Sequence, residues 1–298
     1  MSAVDATIPI PPDRPASSEH TAPPARPASP GRPARPQVTL EVVRREQLSP
    51  HLVRIVLGGE QFDAFAPNDS TDAYVKIFFA KPELGLEPPY DVAALRETLA
   101  PDDLPVTRTY TVRAVDPVAR TLTIDFVVHG SEGLAGPWAD AARPGDRLTF
   151  AGPGGGYRPD PESDWHLFAV DQSALPATAS ALEALPETAR GTVFVQVADA
   201  SEQIPLAAPA GVAVHWIYGD EPSLLVDAVT RAEWLAGRPQ IFAHGEREAM
   251  KGLRNLFRDR GVHRSELSLS GYWAQGRTED RFQAEKREPI GVIEPLAD

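Results

Sequence analysis

The chain of 298 residues is long enough for two ordinary domains, each with its own core. Its net charge of -13 excludes wholesale nucleic-acid binding and disfavours an anionic membrane surface. The absence of cysteine excludes disulfides, zinc–thiolate sites and iron–sulfur clusters, so redox chemistry here needs an organic cofactor.

Residues 1–36 hold 10 of the 31 prolines, a composition that predicts a disordered tail. No basic start followed by an apolar stretch marks a secretory signal. No apolar run approaches the roughly 20 residues that span a bilayer. A soluble, cytoplasmic protein without membrane insertion is expected.

From Val38 to Ala151 the pattern is β, with strands expected at Val38–Arg45, Leu52–Leu57, Tyr74–Ala80, Thr107–Ala114, Thr121–Val128 and Arg147–Ala151. Asp116-Pro117 turns the fourth into the fifth as a hairpin. Six short strands with little helix between them predict a closed antiparallel barrel. Residues 81–105 form a proline-bearing insertion with a helical turn near Val92–Leu99.

Beyond Gly152–Gly156, an interdomain hinge by composition, apolar runs alternate with helical segments. The runs are His166–Val170, Thr192–Val197, Val212–Ile217, Gln240–Ala243 and Glu266–Leu269; the helices are Ala174–Leu185 and Glu246–Arg260. This alternation predicts a parallel sheet covered on both faces, in a nucleotide-binding type of α/β domain.

Three segments carry chemistry. Arg108-Thr109-Tyr110-Thr111 lies on one strand, where period-2 alternation points Arg108 and Tyr110 the same way. A guanidinium and a phenol so placed suit a flavin phosphate and ring, and equally an amphipathic barrel strand. His129-Gly130 and Gly136-Pro137-Trp138-Ala139 form a glycine-rich strand-to-helix connection, suited to a phosphate or to a plain turn. Asp171-Gln172-Ser173-Ala174 follows the first parallel strand, where open α/β sheets place nucleotides, although Gly-x-Gly-x-x-Gly is absent. Asp199 and Glu202 follow the second; acidic groups there suit a ribose hydroxyl and lean towards NADH over NADPH. His244-Gly245-Glu246 follows the fourth and opens a helix, and Gly271-Tyr272-Trp273 follows the fifth, where the aromatics are either a core pair or a cover for a flavin face. Scattered histidines make no metal site, and none is expected.

In Arg108–Arg113, Asp125–Gly130, Gly136–Ala139, Pro144–Asp146, Ala151–Gly155, Ala174–Ala177 and Gly271–Trp273 with Gly276–Asp280, the chain resembles the siderophore-interacting protein family. These are FAD-dependent ferric-siderophore reductases of the ferredoxin-reductase-like superfamily. The resemblance covers about Val38 to Lys286 and implies an α+β two-domain fold. A six-stranded antiparallel FAD-binding β-barrel at 37–157 is followed by an α/β NAD(P)H-binding domain with a parallel sheet at 164–275. A C-terminal tail, 276–298, folds back, and 1–36 is the Pro-rich tail.

Carried onto matching positions, Arg108, Thr109, Tyr110, Thr111, Asp125, Val127, His129, Gly130, Gly136, Pro137, Trp138 and Ala139 would hold FAD. Asp171, Ser173 and Ala174 would serve the nucleotide side, NADH or NADPH, and Trp273 would be a further cofactor-binding residue, covering a flavin face. Lys76, in a Val-Lys-Ile-Phe-Phe strand, would face the ferric siderophore, and Arg277 would be a further substrate-binding residue. Relatives usually read Asp-Glu-Thr-Ala-Leu-Pro where Gln172 and Ser173 stand, and Gly-Tyr-Trp-Arg-Arg-Gly where Ala274-Gln275 stand. The implied activity passes electrons from NAD(P)H through FAD to Fe(III), releasing Fe(II), in a monomer. A general NAD(P)H–flavin oxidoreductase with another acceptor and a non-redox siderophore carrier are the alternatives.

Overall fold

The computed structural model describes residues 36–129 and 133–296; the tail expected over 1–36 therefore lies almost wholly outside the described residues, as does Gly130. Strands β1 (Gln37–Ser49), β2 (Leu52–Gly58) and β3 (Tyr74–Phe79) come first. The short helix α1 (Val92–Leu95) lies in the insertion, followed by β4 (Val106–Asp116) and β5 (Thr121–Val127). Helix α2 (Ala135–Ala141) and β6 (Arg147–Gly154) complete the unit. The six strands close as an antiparallel barrel in the order β1-β2-β5-β4-β3-β6. Alternation sends Leu40, Ile55, Leu57, Val75, Ile77, Leu122, Ile124 and Phe150 inwards, all fully buried. Helix α2 adds the buried Ala135 and Ala139 to this core.

The second half holds β7 (Trp165–Asp171), α3 (Leu175–Ala184), β8 (Gly191–Val197), β9 (Val212–Tyr218) and α4 (Pro222–Arg231). It ends with β10 (Pro239–Glu246), α5 (Arg247–Asp259), β11 (Leu267–Trp273) and α6 (Glu279–Glu285). The strands form a parallel sheet in the order β11-β10-β7-β8-β9, so the winding reverses between β7 and β10. At such a switch point the carboxyl ends of the strands open into a crevice. The expectation of strands covered on both faces holds for β7, buried along its whole length, but not for the edges β9 and β11, which are half open. Nor does every crossover carry an α-helix: β8 reaches β9 through proline-bearing residues 198–211, which hold a short 3-10 turn at Ala200–Glu202.

Helices α4 and α5 pack together on one face, where Leu225 and Val229 meet Met250, Leu253 and Phe257. A Cβ on Gly252 would come 2.8 Å from Val226, so the two helices approach to glycine distance. Helix α3 lies on the opposite side and packs against barrel strand β4. There the Ser180 hydroxyl donates to the Arg113 carbonyl at 2.8 Å, and the Arg113 guanidinium pairs with Glu183. Leu52 of β2 belongs to the same buried cluster as Phe168, Leu175 and Val195, so barrel and sheet share one apolar seam.

Candidate functional site

Strand β4 points Arg108 and Tyr110 to one side and Thr109 and Thr111 to the other, as alternation requires. The Tyr110 ring lies 4.4 Å from Phe126, Phe126 lies 5.7 Å from Trp138 of α2, and Trp138 lies 6.3 Å from Phe79. Burial drives the Tyr110 phenol well above its ordinary pKa, so it stays a neutral donor. Beside it the Arg108 guanidinium donates to both oxygens of Asp280, at 3.0 and 3.1 Å. At the end of β5, a Cβ on Gly136 would meet the Val127 carbonyl at 3.4 Å, so the start of α2 sits tightly on that strand. Ala139 is fully buried, Pro137 half-buried, and Val127 packs into the seam between barrel and sheet. His129 stacks against His51, ring centres 6.2 Å apart, and desolvation together with His51 lowers its pKa.

A guanidinium two positions from a phenol on one strand face, beside a glycine-tight turn, fits a flavin dinucleotide: anion partner, ring wall and close backbone approach. Asp125 lies differently from the rest. It is buried in the barrel wall, and both its oxygens accept from Arg54 of β2, its cross-strand partner, at 2.7 and 2.8 Å.

On the sheet side Asp171 is buried, and burial raises its pKa. Oδ1 accepts from the Ser173 amide (2.9 Å) and hydroxyl (2.5 Å); Oδ2 accepts from the Glu246 amide (2.7 Å) and Trp273 Nε1 (2.8 Å). Both oxygens are thus engaged inside the protein, knotting the carboxyl ends of β7, β10 and β11. Ala174 is wholly buried behind them, and Trp273 remains 39% exposed. Glycine at 245 is part of the knot: its φ is +154°, and a Cβ there would fall 2.5 Å from Asp171 Oδ2. Gly245→Ala should therefore cost about 2 kcal/mol, through strain and displacement of a buried carboxylate. A thermal-unfolding midpoint equal to that of the wild type would show that the knot is slack.

The acidic pair expected to meet a ribose separates. Glu202 is 1% exposed and accepts from Ser49 Oγ (2.6 Å), the His51 amide (3.2 Å) and Gln172 Nε2 (2.8 Å), with His51 Nδ1 at 2.5 Å. It is an internal pin between the β1–β2 turn and the sheet, with no oxygen left for a ligand; only Asp199, which caps Ser201, stays exposed. The same contact accounts for glutamine at 172, since a glutamate would set a second carboxylate against Glu202.

Lys76 stands exposed between buried Val75 and Ile77 on β3, with no hydrogen bond or ion pair among the described residues. Lys286, just after α6, lies over the Phe282 ring at 4.6 Å; burial and the charge of Lys76 depress its pKa. The two ammonium groups therefore share one region, a pairing no spacing in the sequence signals. Arg277 does not join them: its guanidinium donates to Glu285 at 2.8 Å. Ala274 is 2% exposed and the Gln275 amide donates to Glu246, so a buried methyl and a fixed loop stand where relatives carry an arginine pair. No group of His, Asp and Glu suited to a metal ion occurs among the described residues. No helix there is long and apolar enough to cross a membrane.

The closed six-stranded barrel followed by the doubly wound parallel sheet is the ferredoxin-reductase-like fold. The profile of the siderophore-interacting FAD-binding domain matches residues 41–157, and that of the siderophore-interacting protein matches 163–276. The chain belongs to the siderophore-interacting protein family, and its cofactor is FAD. It is 45% identical over 277 residues to an uncharacterised protein of Mycobacterium tuberculosis, covering 85% of this chain and 95% of that one. The ferric vibriobactin reductase ViuB of Vibrio cholerae is 32% identical over 257 residues, covering 83% and 93%. Among solved structures, a siderophore utilization protein from T. fusca superposes with a TM-score of 0.70 at 37% identity, over 82% of this chain and 94% of that one.

Proposed function

We propose that this chain is a ferric-siderophore reductase, taking electrons from NAD(P)H through FAD and delivering them to Fe(III) held in an anionic siderophore. The observation that carries the reading is adjacency. Strand β4, with the flavin-suited Arg108 and Tyr110, packs against α3, the helix that follows the switch-point strand β7. A dinucleotide at the sheet edge and a flavin on the barrel would then face one another across the seam. Two lysines in one region, Lys76 of the barrel and Lys286 just after α6, in a chain of net charge -13, form a feature suited to an anionic chelate.

Bound FAD would supply two-electron hydride acceptance and one-electron transfer to Fe(III), and Fe(II) is held far less tightly by hard oxygen donors. The protein's part is placement. Arg108, which holds Asp280 here, would hold a flavin phosphate, Tyr110 and Trp138 would wall the ring, and the Asp171 knot would fix the sheet edge. Lys76 and Lys286 draw in the chelate. With this reading go a monomeric state, a cytoplasmic location, where NAD(P)H is available, and a division at 37–157, 164–275 and 276–298.

The test is anaerobic spectroscopy of the FAD-loaded protein. Adding NADH or NADPH should bleach the flavin bands, and a ferric siderophore should restore them while an Fe(II) indicator develops. Bands that bleach but recover only with free flavin or quinones would favour a general flavin oxidoreductase. Binding of ferric siderophore without retained FAD would favour a carrier.

A further inference from the structure

We propose that His244 is a positioning residue: it fixes Tyr272 so that the phenol ring forms the wall against which the nicotinamide end of the dinucleotide docks. This rests on the reading of the seam as the site where nicotinamide meets flavin.

His244 lies at the carboxyl end of β10, beside the reversal of sheet order, and is 4% exposed. Nδ1 is 2.9 Å from the Tyr272 hydroxyl, Nε2 is 2.9 Å from Ser268 Oγ, and the ring stacks on Phe242 at 3.8 Å. Both nitrogens are therefore occupied, which leaves none for a ligand or for proton transfer to one. Burial pushes its pKa down to about 3, so it stays neutral, with one nitrogen donating and the other accepting. Packing alone does not ask for such a residue. A leucine would fill the space without the desolvation cost of a buried imidazole.

What the imidazole gains is control of Tyr272. That residue is the penultimate one of β11, packs into the barrel–sheet seam and remains half-buried. Asp171 lies near its phenol on the sheet side, and Asp72 and Tyr74 on the barrel side. Tyr74 in turn pairs with Thr111 on the strand that carries Arg108 and Tyr110. Tyr272 is thus the sheet-edge ring that faces the flavin strand. Its hydroxyl, tied inwards to His244, removes the rotamer freedom that docking a flat ring would otherwise have to overcome.

The amides of asparagine and glutamine separate the two bonds, since Asn carries a polar atom near the Nδ1 position and Gln near Nε2. The FAD-loaded full-length protein is titrated with NAD+ and NADP+ by flavin difference spectroscopy, alongside KM, kcat and the thermal midpoint. His244→Gln and Tyr272→Phe should each weaken dinucleotide binding by about fivefold, with KM raised and kcat little changed. His244→Asn should bind as the wild type does. His244→Gln should add nothing in the Tyr272→Phe background. Equal behaviour of the Asn and Gln variants, or weakening that adds to Tyr272→Phe, overturns the inference, because His244 then acts on stability alone. A wild-type protein that binds neither dinucleotide overturns the nicotinamide reading itself, and the inference with it.

Discussion

Glu285→Gln should lower the thermal midpoint by several degrees and release the C-terminal segment to proteolysis. Glu285 is 1% exposed and accepts from three guanidinium groups: Arg247 at 2.6 Å, Arg277 at 2.8 Å and Arg281 at 2.8 Å. Arg247 opens α5 and its side chain is 5% exposed; among the described residues its ion pairs are with Glu285 and Glu248. Neutralising the carboxylate leaves buried positive charge without its counter-charge, the costly half of breaking an internal ion pair. The loss propagates because α6 bridges both halves, with Asp280 on Arg108 of the barrel and Glu285 on Arg247 of the sheet domain. Beyond it, Lys251 holds the Ile290 carbonyl, and Arg254 holds those of Glu294 and Pro295, so the strap along α5 starts from this clamp.

The pH dependence has a definite sign. The Arg247 hydrogen bond is the largest cause that holds Glu285 down to about 2, against an ordinary 4.5. A depressed carboxylate pKa stabilises the fold fully above the unfolded value and loses that contribution as pH falls towards the folded one. Wild type and Glu285→Gln should therefore differ most above about pH 5 and converge between about pH 4.5 and 2 in urea midpoints. A constant difference across that range would remove Glu285 from the account.

The clamp also marks where sequence reading stops. Barrel strands were legible because alternation is a local signal, and the strand ends differ by only a few residues. Strand β1 runs on from Arg45 to Ser49 because Glu46 and Gln47, polar and exposed, pair with β2 rather than entering the core. Helix α6 was not legible. In Glu279–Glu285 only Phe282 is a large apolar residue, and the helix is held by ion pairs to residues far off in sequence. Helix α4 escaped for a different reason, since Val226, Val229 and Thr230 are β-branched and only Leu225 and Val229 are buried. At the site, the ring-and-guanidinium strand was readable because two residues on one strand carry it. That Glu202 is buried by Ser49 and His51, some 150 residues away, and that Asp171 has no free oxygen, are properties of the assembled fold. Composition places an acidic residue after a strand. It does not say whether the neighbours leave it any vacancy.

Lys76→Glu should raise KM for an anionic ferric siderophore by about tenfold while leaving flavin reduction by the dinucleotide unchanged. Lys76 has no carboxylate partner among the described residues, so its charge is spent outwards, and Lys286 adds to it from just after α6. Two unit charges about 6 Å apart interact by roughly 1 kcal/mol in water and about 3 kcal/mol at a protein surface, and reversing one sign counts twice. The effect should shrink as salt rises, because the screening length falls below about 10 Å above 0.1 M. A neutral ferric siderophore should show little change. Lys286 supplies a second signature: with burial and Lys76 both favouring its neutral form, it loses charge at lower pH than an ordinary lysine. Affinity for the anionic chelate should then decline on the alkaline side earlier in wild type than in Lys76→Gln, where the repulsion that depresses Lys286 is gone. A Lys76→Glu protein with unaltered KM and salt dependence would move the substrate away from this face of the barrel, towards the exposed Trp273 at the sheet edge.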